Sequence, residues 1–561
     1  MTRWGLLGLL ALLAGTGCDE SRPFCPIGEA GGLTAPARLP TARTEDGREP
    51  FLVRYRSGER VRPMAIERMG GQVTARFRRV PAVAARLTPE ERATLEQDPD
   101  VEAIEPDVEL RALGVPVSVG SVEEYTQALR QVQAPQVWDA NEDGMLDPGA
   151  PTGEGIRVCV LDSGLDARHP ELKVPYVAGH DFLDGDEEPS DHSVEGWGLG
   201  HGTHVAGVLA AQLASGGKPL PGMSPQGMVG VAPGVALLIG RVVDVKERTH
   251  ASLLLSAVEW CQQQGARIIT LSLGSPQPLG STLEAGLRAA ADAGVLLIAA
   301  AGNDSGGGVE APLSYPAAYP SVLAVGAVDG QGQVASFSNR GEALSLVAPG
   351  VEVASSVNLQ AVTAPTLEAG GQTYTTRSLY FASAGDFTGE LVDCGRGEFD
   401  GCHRNTCEGF IAYVRLLPGY SPSHLALTVM RQGARAILFG VNESMSESWE
   451  IELEGPGFQW VPTVAVGQED HASLLAHRGK PVHLRLEGVD YARFSGTSMA
   501  VPHVAGAAAL VWSARPTLTV AEVRGLLEST AKDLGPAGHD ARYGHGLVQA
   551  RAALEALQPQ P

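Results

Sequence analysis

The sequence predicts an α/β protein built on a doubly wound, mostly parallel sheet, with a small α/β unit ahead of it and a β-rich unit inserted in it. Three observations carry this. From Gly155 onward, apolar runs of strand length alternate with amphipathic helical stretches, and strands apolar on both faces belong to sheets covered by helices on both sides. Ahead of them a separate strand and helix pattern occupies Phe51 to Leu110. Between Gly350 and Gly496 a stretch of different character, carrying Cys394, Cys402 and Cys407, interrupts the alternation.

At 561 residues the chain exceeds one ordinary domain. Hydrophobic residues at 43% and charged residues at 19% allow a large core and exclude general disorder. A formal net charge of −23 would repel nucleic acid and anionic membranes, so neither is the main partner. No apolar run reaches the ~20 residues of a membrane-spanning helix, and the protein is expected to act as a monomer.

Residues 1–18 carry Arg3, an apolar stretch from Leu6 to Ala14 and small residues up to Cys18. This reads as a signal peptide, sending the protein out of the cell or to the bacterial cell envelope. Ala14-Gly15-Thr16-Gly17-Cys18 also resembles a bacterial lipobox, with Gly15 where Leu is usual. Lipidation of Cys18 and cleavage nearby without lipid both stay open. Residues 19–50 read as a linker and 51–112 as the small α/β unit. In it Phe51 to Tyr55 is a strand, and Thr88-Pro89-Glu90-Glu91 opens a helix through a cap, an N-terminal Pro and a reciprocal Glu. Val101 to Ile104 is a further strand, after which the chain reads as irregular through Gly114 and Gly120.

Residues 113–154 read as a second linker. Within it Asp139, Asn141, Asp143, Gly144 and Asp147 have the alternate spacing and central Gly of a calcium loop. Ala150 stands at the twelfth position instead of Glu, so a structural calcium site and an ordinary polar linker are both open. The acidic stretch Asp181 to Asp191 reads as solvated surface.

Residues 155–356 and 491–561 form the two parts of the main unit, around an insertion at 357–490. Strands are expected at Arg157 to Leu161, Leu237 to Val243, Ile268 to Leu273, Val295 to Ala300 and Val322 to Val328, and helices at Leu253 to Gln264, Leu283 to Ala293 and Gly496 to Ser513. Two of Cys394, Cys402 and Cys407 are expected to pair in an exported protein. The alternative is zinc, for which only His403 adds a nearby ligand. Cys159 and Cys261 read as small buried apolar side chains.

Three segments put a polar group at an element terminus. Asp162 ends the apolar run Val158-Cys159-Val160-Leu161, His201 opens the helical His201-Gly202-Thr203-His204-Val205-Ala206-Gly207, and Ser498 lies in Gly496-Thr497-Ser498-Met499-Ala500. A hydroxyl nucleophile needs a base within hydrogen-bond reach, and the base needs a carboxylate to fix its tautomer. His201 would therefore take the proton of Ser498, with Asp162 orienting His201. The developing oxyanion needs donors. The Asn303 amide, after Ala299-Ala300-Ala301-Gly302, and the Ser498 N–H at a helix start could supply them.

The order Asp, His, Ser, the three motifs, Gly302-Asn303 and Ala348-Pro349-Gly350 resemble the subtilisin family of serine proteases. That resemblance covers roughly Gly155 to Ser356 and Tyr491 to Leu557. It implies a serine endopeptidase with catalytic Asp162, His201, Ser498 and Asn303, which acts on polypeptide and needs no cofactor for chemistry. It also implies that Ser272-Leu273-Gly274 pairs with an extended substrate and that Ser314 stands in the specificity pocket, where Gly is frequent. By the same resemblance, residues 51–112 are a propeptide acting as chaperone and inhibitor, and the insertion is a protease-associated domain. A peptide-binding protein on an inactive protease fold would be expected to lack one of these four residues. An α/β-hydrolase would show Gly-x-Ser-x-Gly and the order Ser, acid, His.

Overall fold

The computed structural model describes residues 47–118, 124–191, 200–213, 227–244, 247–359, 362–379, 382–397, 402, 409–417, 419–441, 453 and 460–557. The signal peptide, the lipobox at Cys18 and Cys407 lie outside them. The described residues divide into two compact units: those within 365–486 are one, and those within 47–364 and 487–557 the other.

In the larger unit the first strands are β1 (Glu49–Tyr55), β2 (Gln72–Arg76), β3 (Ala82–Leu87) and β4 (Val101–Pro106), paired antiparallel in the order β2-β3-β1-β4. Strand side chains alternate between faces. Phe51, Val53 and Tyr55 therefore close a small core with Ile66, Leu87 and Leu95, while Leu52, Ala82 and Ala84 turn to the main core. The helix Pro89–Leu95 begins with the expected reciprocal Thr88–Glu91 cap.

β5 (Glu109–Ala112) and β6 (Val115–Ser118) follow, where the sequence reading expected irregular chain. Four-residue strands carry too little periodicity to stand out, and their hydrogen bonds come from partners more than a hundred residues away. Next in the chain are β7 (Arg157–Asp162), β8 (Tyr176–Asp181), β9 (Ala236–Arg241), β10 (Arg248–His250), β11 (Ile268–Leu271), β12 (Leu273–Gly274), β13 (Leu296–Ala300), β14 (Val322–Val328), β15 (Leu344–Pro349) and β16 (Val353–Ser356). Among the described residues the main sheet has seven parallel strands, ordered β15-β14-β13-β11-β7-β9-β8. The chain moves outward from β7 to one side, returns, and then builds the other side. β7 therefore ends at a topological switch point, where such sheets place their sites.

β5 is the middle strand of a three-stranded antiparallel sheet between β10 and β12. β6 pairs antiparallel with the strand Tyr491–Ser495, which also pairs with β16. Helices Ala251–Gln263 and Gly280–Asp292 connect strands of the main sheet, and Thr497–Ala514 is buried over nearly its whole length. Cys159 in β7 and Cys261 in the first of these helices form a disulfide. This corrects the reading of both as isolated apolar side chains: they are 102 residues apart, and only the packing of helix on sheet brings them together.

The smaller unit carries a mixed sheet of eight strands among the described residues, so it is β-rich as expected. Phe410–Arg415 lies parallel between Gly385–Asp393 and Ala434–Gly440, and the helix Pro422–Arg431 connects two of these strands. Cys394 and Cys402 form a disulfide, so neither is a thiolate available to zinc.

Candidate active site

Asp162 is the last residue of β7 and His201 the first of the helix His201–Ala210. Gly200 precedes it in a left-handed conformation (φ 78°), with Asn358 packed where a side chain would begin. His201 Nδ1 donates to Asp162 Oδ1 at 2.6 Å, and both side chains are almost wholly buried. An ionised carboxylate only accepts, which settles the direction. Burial pushes the His201 pKa down, but the charge and hydrogen bond of Asp162 outweigh it, so the imidazole titrates above its usual range.

The acidic stretch read as solvated surface is buried at both ends. Asp181 pairs with Arg241. The Asp191 carboxylate accepts from Thr203 N–H (2.9 Å), Thr203 Oγ1 (2.7 Å) and Ser163 Oγ (3.0 Å), and Ser163 Oγ accepts from Gly202 N–H (2.9 Å). It thus ties the loop after Asp162 to the first turn of the His201 helix. His204 is neutral, its pKa pushed down to about 3 by burial and by the charge of His201. Its Nε2 lies 3.0 Å from the Val353 carbonyl and its ring stacks on Phe494.

Ser498 is the second residue of the helix Thr497–Ala514. Its hydroxyl donates to the Ser272 carbonyl at 2.9 Å, and His201 Nε2 has no hydrogen-bond partner. The hydroxyl–imidazole bond expected of a proton relay is therefore not made in this arrangement. Such bonds commonly tighten only when the reacting complex forms. The space beside the imidazole is taken by Gly114, where an added Cβ would stand 2.8 Å from His201 Nε2 and 3.0 Å from Met499 Sδ.

One carbonyl oxygen, that of Leu113, accepts from both Ser498 N–H (3.2 Å) and Asn303 Nδ2 (2.8 Å). Asn303 is aimed by its Oδ1, which accepts from Thr497 N–H and Thr497 Oγ1 at 2.9 Å each. A Cβ on Gly496 would stand 2.3 Å from the Leu113 oxygen, so the approach requires glycine.

The residues expected to hold substrate lie along the same segment. Leu113 N–H donates to the Ser272 carbonyl (3.2 Å), and Leu273 and Gly274 pair with Ala112 and Arg111. The position of a Cβ on Gly274 lies 2.9 Å from Leu113 Cδ1 and 3.1 Å from Ser314 Cβ, so both side chains flank Gly274, where a larger residue would not fit. Ser314 Oγ turns to Asn339 Nδ2 (3.3 Å) and Asp304 Oδ2 (3.4 Å).

In the calcium-like loop the acidic side chains accept hydrogen bonds from within or beside the loop. Asp139 is buried and accepts from Asp143 N–H, Gly144 N–H and the Tyr125 hydroxyl. Asp147 accepts from Ala140 N–H, Asn141 bonds Asp143, and Asp143 accepts from Met145 N–H. N–H and O–H donors thus take up part of the accepting capacity of these oxygens. Among the described residues no group of three His, Cys, Asp or Glu could hold a metal.

The sequence reading missed Leu113 and Gly114, and it missed three carboxylates that join the first sheet to the main one. Glu259 accepts from Arg78 and Arg79 N–H. Glu105 accepts from the N–H and hydroxyl groups of Ser281 and Thr282, and Asp107 from those of Ser252. Glu105 and Asp107 sit at helix N-termini, where unpaired N–H groups favour a carboxylate. No local motif marks them, because each cap is supplied by a distant segment.

Residues 153–379 and 449–546, more than half of the chain, match the Subtilase family model. The chain belongs to the subtilase family. Residues 67–113 of this subtilase match Peptidase inhibitor I9, and the match ends at Leu113. M-protease of Shouchella clausii is 36% identical over 279 residues, covering 50% of this chain and 63% of that protein. The chain thus spans less than two thirds of that relative. Subtilisin E of Bacillus subtilis is 28% identical over 491 residues, 87% of this chain and 85% of its own. The crystal structure of a psychrophilic subtilisin-like protease from the Antarctic psychrotroph Pseudoalteromonas sp. superposes with a TM-score of 0.50 at 27% identity, covering 79% of this chain and all of that one.

Proposed function

We propose that this subtilase is a serine endopeptidase, exported and made as a self-processed zymogen. One observation supports it above the others: the Ser498 N–H and the Asn303 amide converge on a single peptide carbonyl, with the Asp162–His201 pair beside the following residue. That is the arrangement acyl transfer requires. In this reading Ser498 Oγ turns from the Ser272 carbonyl to His201 Nε2, gives up its proton and attacks the carbonyl carbon. The tetrahedral oxyanion is held by the two donors. His201 then protonates the leaving nitrogen, and water, activated by the same imidazole, releases the acyl-enzyme. No step draws on a metal or cofactor.

The unit at 51–112 acts as chaperone and inhibitor in this reading, which the contacts of Glu259, Glu105 and Asp107 support. The insertion at 357–490 acts as a protease-associated domain that influences substrate access. The signal-peptide pattern of residues 1–18 supports export, and among the described residues no helix is long and apolar enough to cross a membrane. The test of the enzymatic reading is Ser498→Ala, assayed on an unfolded protein substrate. Loss of hydrolysis is expected, and unchanged hydrolysis would refute the assignment.

A further inference from the structure

The chain is held as an extended ligand on both sides of one peptide bond. Upstream, β5 lies between β10 and β12, with Thr249 opposite Leu110 and Leu273 opposite Ala112. Downstream, β6 pairs with Tyr491–Ser495, the strand that runs directly into Gly496-Thr497-Ser498. Between the two strands lies Leu113–Gly114, and its carbonyl receives both the Ser498 N–H and the Asn303 amide. Its nitrogen belongs to Gly114, the residue packed against His201 Nε2.

We propose that Leu113–Gly114 is the bond this enzyme cuts in its own chain, and that Leu113 and Leu110 display its substrate preference. The inference rests on the endopeptidase reading and names the first bond on which that activity acts. In the step itself, Ser498 Oγ bonds to the Leu113 carbonyl carbon and its proton passes to His201. The carbon–nitrogen bond breaks as His201 gives that proton to the Gly114 nitrogen. Water then splits the ester, leaving a carboxylate on Leu113 and an amine on Gly114.

The preference follows from burial. Leu110 is wholly enclosed in the main core, whereas Arg111 is exposed and selects nothing. Ala112 and Leu113 are partly buried against that same core, and the Leu113 side chain lies beside Gly274. The site therefore takes a leucine-sized aliphatic residue before the cut and a second apolar residue three positions upstream.

The test uses the full chain, its Ser498→Ala variant and a synthetic peptide spanning residues 109–118. At the earliest time of processing, the full chain is expected to show one new N-terminus, Gly114, and processed enzyme is expected to cut the peptide once, after Leu113. The same peptide with Leu113→Asp should be cut at least about 100-fold more slowly, since the substitution buries a charge where an aliphatic group fits. A first N-terminus at another residue that still depends on Ser498, or a peptide cut elsewhere or left whole, overturns the bond assignment and leaves the endopeptidase reading standing. Processing that persists in Ser498→Ala overturns the endopeptidase reading itself.

Discussion

Replacing Glu259 should loosen the proposed propeptide without touching the proposed catalytic groups. Glu259 lies on the helix Ala251–Gln263 and is 7% exposed. Its carboxylate accepts from Arg78 N–H at 2.8 Å and 3.1 Å and from Arg79 N–H at 2.7 Å. Those two donors sit in the turn between β2 and β3. A hydrogen bond to a charged group contributes about 1.5–3 kcal/mol net, so two would contribute about 3–6 kcal/mol. The Arg78 and Arg79 side chains are exposed, and water at this rim offsets part of that, which leaves about 2–4 kcal/mol. At about 1.4 kcal/mol per tenfold, Glu259→Ala should weaken propeptide binding roughly 30- to 700-fold. Glu259→Gln keeps one accepting oxygen and should lose about half as much energy, roughly 5- to 30-fold. The assay is the inhibition constant of separated propeptide, residues 47–113, against processed enzyme, with kcat/KM on a short peptide as control. An inhibition constant for Glu259→Ala within about threefold of the parent value would show that the contact contributes nothing.

On the proposed mechanism Asn303→Ala should lower kcat with little change in KM, because its amide donates to the Leu113 carbonyl oxygen, the one that would carry the charge. The size, about 100- to 1000-fold, is carried over from the corresponding amide of subtilisin, and an unchanged kcat on peptide substrates would remove Asn303 from the mechanism. Glu171 is buried, with its carboxylate accepting from Met228 N–H and the Tyr491 hydroxyl, and burial pushes its pKa up to about 8. Below pH 4.5 it is protonated folded and unfolded. Between there and about pH 8 only the folded state holds the proton, so stability falls as pH rises, by on the order of 5 kcal/mol in all. Urea unfolding of uncleaved Ser498→Ala protein should show that loss, and adding Glu171→Gln should flatten it; identical pH profiles would refute the shift. Joint replacement of Cys159 and Cys261 by Ala opens a loop closed across 102 residues and should cost about 2–5 kcal/mol, read as a lower urea midpoint in the same background. An unmoved midpoint would mean that the bridge does not form in the purified protein.

Much of the architecture was legible because it rests on local patterns. The buried runs at Arg157 and Val322 announced a covered parallel sheet, and Thr88 with Glu91 marked a helix start from two side chains three residues apart. Asp162, His201 and Ser498 could be picked out for the same reason, since each sits at an element terminus within a short distinctive motif. The acidic stretch from Asp181 to Asp191 shows where that reasoning stops. Its composition is that of solvated loop, yet Asp191 is buried because Thr203 and Ser163 supply it with donors from other segments. The calcium-like spacing is silent on a related point: Asp139, Asp143 and Asp147 accept N–H groups of their own loop, which spacing does not report.

Taken alone, the sequence determined the alternation of strands and helices, the interruption of the main unit and the candidate nucleophile, base and carboxylate, because side-chain period and terminal motifs are properties of neighbouring residues. Tertiary structure decided the rest. The pairing of β5 and β6, the Cys159–Cys261 bridge and the seating of the Leu113 carbonyl between Ser498 and Asn303 all join segments more than a hundred residues apart. Hydrogen bonds and packing at that separation are settled by which surfaces the folded sheet brings together, and no local pattern in the chain encodes them.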